Sequence, residues 1–94
     1  MITLAGQLTV FMRDVGCWVV SPDMTDGMVW KNQRTFKKYT SQTVGRQLRK
    51  LERSKILAGK DYGKTVQYKF IPEHLRSKYI PKSLRKDKDV LFSK

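Results

Sequence analysis

One cysteine and one histidine are all that the chain holds of the residues most used to bind zinc. Cys17 and His74 lie far apart in sequence, so no four-ligand site can be assembled from the usual donors. A single thiol cannot close an internal disulfide either, so nothing ties the chain to an oxidising compartment, and the cytoplasm is the expected location. With one histidine no Ser-His-Asp arrangement can be argued, and Asp23 and Asp26 have neither a nearby histidine nor a second acidic pair. The expectation is a protein without catalysis, cofactor or metal. Long hydrophobic runs are missing too. The most apolar stretch, Ile2 to Val20, has no basic leader and is interrupted by Gln7, Arg13 and Asp14, so it reads as neither a signal peptide nor a membrane span.

Acidic residues are the other scarcity: 8 Asp and Glu stand against 20 Lys and Arg, a formal net charge of +12 over 94 residues. That length suits one domain with a small core, since chains of this size bury only about 60 to 65% of their unfolded surface. Solubility alone does not require so much charge of one sign, which points to a polyanionic partner. Hydrophobic residues at 39% are too many, and too clustered, for a disordered basic tail.

The charge is segregated. Residues 1 to 30 hold Arg13 against Asp14, Asp23 and Asp26, a balance of −2. Residues 31 to 69 hold twelve Lys or Arg against Glu52 and Asp61, or +10, and residues 70 to 94 hold seven against Glu73, Asp87 and Asp89, or +4. A binding face on a supporting scaffold explains such a division better than a need for solubility does.

Leu4, Leu8, Phe11 and Val15 recur at helical spacing, with Thr3 placed to cap the start and Gly16 the end, which predicts a helix over residues 3 to 15. Cys17 to Val20 reads as a brief strand with Cys17 a buried small hydrophobe, and Ser21-Pro22-Asp23 as a turn. Trp18 and Trp30 are expected in the core. From Met28 the spacing of Val29, Gln33 and Phe36 predicts a second, short helix whose other side carries Lys31, Arg34, Lys37 and Lys38. Thr40 or Ser41 then caps a third helix from Gln42 to about Lys55, with Val44, Leu48 and Leu51 on one side. At about 100° per residue from Val44, the residues Gln42, Arg46, Arg49 and Arg53 fall between about 140° and 200°, with Thr43 and Lys50 flanking them. One face packs, and the opposite face is a row of guanidinium groups.

Ile56 to Ala58 and the alternating Thr65 to Phe70 read as two strands joined by a Gly-rich basic loop, Gly59 to Lys64. Ala58 to Thr65 also matches a loosened phosphate-loop pattern, but that pattern has meaning only between a strand and a helix, and Thr65 opens a strand. Pro72 begins a last short helix carrying Leu75 and Tyr79, and Pro81 ends it. The basic tail from 81 to 94 has no clear period, the pattern of a segment that stays disordered until something binds it.

This order of elements, and above all the run Ser41 to Leu57 with its Thr43-Val44, Arg46 and Leu48-x-x-Leu51-Glu52 before an aliphatic pair, resembles a winged helix-turn-helix domain. The resemblance covers about residues 3 to 71 of a domain read as 1 to 80. It implies an α+β fold of three helices, a two-stranded hairpin wing and a short C-terminal helix, and a regulator of prokaryotic or viral type that binds double-stranded DNA. The third helix would enter the major groove, with Gln42, Thr43 and Arg46 at base edges and Arg49, Lys50 and Arg53 on phosphates. The wing from 59 to 65, with Lys60, Tyr62 and Lys64 at its tip, would lie on the backbone or minor groove, and Lys31, Arg34, Lys37 and Lys38 would straddle the backbone. Two other readings stay open: a ribosomal-type RNA-binding winged helix, which the basic tail suits, and a protein-interaction module in a replication or viral complex. No membrane role is expected, and a homodimer through the first or last helix is compatible with the pattern.

Overall fold

The computed structural model describes residues 3–81. Of the basic tail, all but Pro81 lies outside the described residues. The fold is α+β: four helical segments pack on a three-stranded antiparallel sheet.

Helix α1, Leu4–Val15, starts where the Thr3 hydroxyl accepts the Gly6 N–H at 3.1 Å. It stops at Gly16, whose φ of +66° is the left-handed conformation that lets its N–H return to the Met12 carbonyl. Its buried stripe is Leu4, Leu8 and Met12; Phe11 is half-buried and Val15 lies outside the core. Strand β1 is only Val19–Val20, and Cys17 before it is exposed rather than buried.

Helix α2 is Ser21–Thr25. The expected turn at Ser21-Pro22-Asp23 is thus a helix start, with Pro22 in the first turn, where its missing N–H has no helical partner to lose. The helix expected from Met28 is absent. Lys31 and Lys38 form an antiparallel bridge, and the Asn32 side chain accepts the N–H groups of Arg34 and Thr35, taking donors that a helix would need. Val29 and Phe36, assigned by spacing to a packed side, are 61% and 77% exposed. Trp30 is buried instead, its ring N–H donating to the Met24 carbonyl and its ring centre 5.6 Å from that of Phe11 in a T-shaped pair.

Helix α3, Ser41–Arg53, is capped by Thr40, whose hydroxyl accepts the Thr43 N–H. Its end is a Schellman turn: Ile56 N–H donates to Leu51 O and Lys55 N–H to Glu52 O, with Lys55 at φ +66° where glycine is usual. Strands β2, Leu57–Tyr62, and β3, Thr65–Phe70, then form a hairpin closed by Gly63 and Lys64. β3 has the expected bounds, whereas β2 runs on past Ala58 to Tyr62, so the loop is two residues, not six. Gly63 sits at φ +62° at the first loop position, where tight hairpins take glycine. β1 pairs with β3, Val19 opposite Tyr68, so the sheet order is β1-β3-β2 and the hairpin gains a third strand.

The sheet is packed on both faces. On one, Leu57 and Tyr68 meet α1, α2, Trp30 and the Val44, Leu48 and Leu51 stripe of α3. On the other, Ala58, Ile71 and Tyr79 gather with half-buried Trp18 and Leu75. The expected last short helix is a 3-10 helix, Glu73–Lys78, with Tyr79 just after it rather than within it. The Tyr79 hydroxyl donates to the buried Glu52 carboxyl group and accepts the Gly59 N–H at 2.8 Å. Replacing Tyr79 by Phe keeps the ring but deprives two buried polar groups of this partner, and should cost about 1 to 3 kcal/mol. Urea unfolding will measure it; a loss under about 0.5 kcal/mol would show that other partners carry these groups.

Candidate functional site

Alternate faces of α3 have opposite characters. Val44, Leu48, Leu51 and Glu52 are buried, while Gln42, Arg46, Arg49, Lys50 and Arg53 are exposed. None of these five side chains, nor Arg34, Lys37 or Lys38, is paired with a carboxylate among the described residues. The basic face is therefore open to an external anion.

Helix α2 runs beside the first turns of α3 and leaves an open polar cleft of about 440 Å³. Ser21, Thr25 and Asp26 form one wall, and Gln42, Gly45, Arg46 and Arg49 the other. The structure thus brings Gln42, Arg46 and Arg49 together at one concave surface, with Lys50 and Arg53 continuing along the same helix. Thr43 stands apart: it is half-buried, and its hydroxyl lies 2.9 Å from that of Thr40, so it is engaged in the cap.

The hairpin residues divide. Lys64 is exposed in the turn, and Tyr62, 60% exposed, ends β2 beside it. Lys60 is not at a loop tip but inside β2, with its ammonium 4.4 Å from the centre of the Trp18 ring, a cation–π contact. Strand alternation puts Lys60 on the Ala58 side of the sheet, away from α1, α2 and α3. Lys37, Lys38 and Arg34 are exposed in the connection between α2 and α3.

Close to this face, burial raises the Tyr68 phenol above its usual range; the Arg49 charge works against that rise and Glu52 adds to it. Arg49 therefore sits near enough to the sheet to be felt at its core while its side chain remains exposed.

Two contributors were not read from the sequence. The α2 wall of the cleft went unseen because Ser-Pro-Asp suggests a turn as readily as a helix start; the signal was Pro22 just inside an N-terminus. The bridged connection had its signal in Asn32, a residue whose side chain favours turns over helix interiors. No family model, curated protein or solved structure matches the chain. Among the described residues no helix is long and apolar enough to cross a membrane.

Gly45 is the weak point of α3. A Cβ built there would meet only the Arg49 guanidinium, at 3.7 Å, an ordinary contact, so packing does not demand glycine. Gly45→Ala should stabilise the free protein by about 0.5 to 1 kcal/mol. Denaturant unfolding is the measurement, and a loss of stability would mean that the cleft has no room for the methyl.

Proposed function

We propose that the chain is a winged-helix protein that binds double-stranded DNA and regulates transcription by occupying it. What carries the reading is the outer face of α3: a row of cations with no carboxylate partner among the described residues and one amide, on a helix whose inner face is buried, in a stretch where no Asp or Glu occurs between Asp26 and Glu52. The order α1, β1, α2, α3, β2, β3 and the antiparallel sheet support the winged-helix assignment. An α-helix fits the major groove of B-DNA, and Arg46 and Gln42, near the N-terminus of α3, have the donor geometries that read guanine and adenine edges. Arg49, Lys50 and Arg53 serve the phosphates, with Lys64 and Tyr62 reaching a neighbouring stretch of backbone. Gly45 leaves the cleft wall without a side chain, which lets the DNA backbone approach the helix closely. Lys60, occupied by Trp18, drops out of the contact set, and Thr43 keeps the cap.

If about six to eight cations each meet a phosphate, log K against log salt should fall with a slope of about −5 to −7. Arg46→Ala should cost about 1 to 3 kcal/mol and relax base preference, whereas Arg53→Ala should weaken all sequences alike. Selection of bound duplexes from a random pool, followed by salt titration of wild type and both variants, tests this. Salt-independent binding would remove the DNA reading, and preference for structured RNA in direct competition would transfer the face to that polymer.

A further inference from the structure

The connection between α2 and α3 contains a closed finger. The bridge between Lys31 and Lys38 shuts its base, where Asn32 N–H donates to Lys37 O at 2.9 Å and Tyr39 N–H to Trp30 O at 2.8 Å. Its tip is folded around Asn32: the side-chain oxygen accepts from Arg34 and Thr35, and the backbone carbonyl from Phe36. Buried Trp30 and a hydrogen bond from the Gln7 amide to Lys31 O fasten the finger to α1 and the core. It is held in place rather than left loose.

At the tip stands Phe36, at φ +61°, a conformation that a bulky L-residue avoids, with 77% of its surface exposed. Folding gains on neither account. Glycine or asparagine suits that backbone better, and a ring in water contributes no burial. A strained residue that the packing does not repay is a mark of a functional position.

The neighbours say what the ring meets. Lys31, Arg34, Lys37 and Lys38 are all exposed, and the finger contains no acidic residue. An aromatic ring among cations fits a polyanion that also offers flat apolar surfaces, which is the chemistry of nucleic-acid phosphates and bases. Ser41 follows Phe36 by five positions, a reach of at most about 18 Å, so finger and α3 can engage one duplex together. Resting on the DNA-binding reading above, we propose that Phe36 wedges into a base step beside the groove occupied by α3, with Arg34, Lys37 and Lys38 on the flanking phosphates. The duplex is partly unstacked there, a second contact that the helix alone does not supply.

Duplex DNA from the selected pool, carrying 2-aminopurine at single positions in turn, is titrated with the full chain and with Phe36→Ala and Phe36→Gly. Anisotropy reports binding and 2-aminopurine emission reports unstacking. Wild type should raise emission at one or two adjacent positions; both variants should abolish the rise and bind about 10-fold or more weakly. Their salt slopes should match wild type, since no charge is lost. Phe36→Gly, freed of the strained φ, should melt no lower than wild type, which separates lost stacking from lost folding. Equal binding and equal emission in all three proteins would overturn the wedge while leaving DNA binding in place. Failure of wild type to bind any duplex would overturn the DNA reading itself. Phe36-dependent binding to anionic lipid vesicles, without an effect on duplex emission, would assign the ring to a membrane surface and overturn the wedge.

Discussion

A buried carboxyl group holds α3 in register with the rest of the molecule. Glu52 is the sole acidic residue of α3 and is 5% exposed, which is tolerable only because it is hydrogen-bonded. Through the Tyr79 hydroxyl it is joined to the Gly59 backbone, so the last turn of α3, the middle of β2 and the segment after the 3-10 helix meet at one oxygen. The row of exposed arginines lies on the same helix. Its height and rotation over the hairpin are thus set by a polar contact on the far side, and the apolar stripe Val44, Leu48 and Leu51 supplies the adhesion.

Local costs are concentrated in one part of the chain. Phe36 and Lys55 both occupy left-handed backbone without being glycine, while Gly45 sits in mid-helix where alanine would fit. All three fall within the basic stretch, whereas α1 follows the rules of its kind at both ends, with a threonine cap and a left-handed glycine stop. A scaffold that obeys local preference, beside a segment that departs from it, is the distribution expected when one part of a protein is shaped by something other than its own folding.

Much of this was readable in residues and spacing. The caps at Thr3 and Gly16, and the pair Thr40-Ser41 of which the structure uses Thr40, mark their helices because each fills an orphan backbone group, and the period of α3 separates its two faces without any knowledge of the fold. The connection from Asp26 to Thr40 was misread because Val29, Gln33 and Phe36 happen to recur at helical spacing, while the deciding interaction is a side chain, Asn32, taking backbone donors. Lys60 was misplaced for a different reason. Its partner Trp18 reaches it only because β1 pairs with β3, a contact that no local pattern announces. The exposed Cys17 belongs to the same class, since its surroundings depend on where a two-residue strand finds its mate.

That late pairing has a kinetic consequence. Val19 is joined to Tyr68, 49 positions further on, and among the described residues β1 borders no other strand. Ordering the loop between them is an entropic cost that must be met before the pairing returns anything, which makes closure of the sheet a slow step relative to helix formation. During synthesis the apolar stripes of α1 and α3 therefore wait for the hairpin to emerge. β3 is the central strand, so the sheet on which α1, α2 and α3 pack is complete only once it has been made.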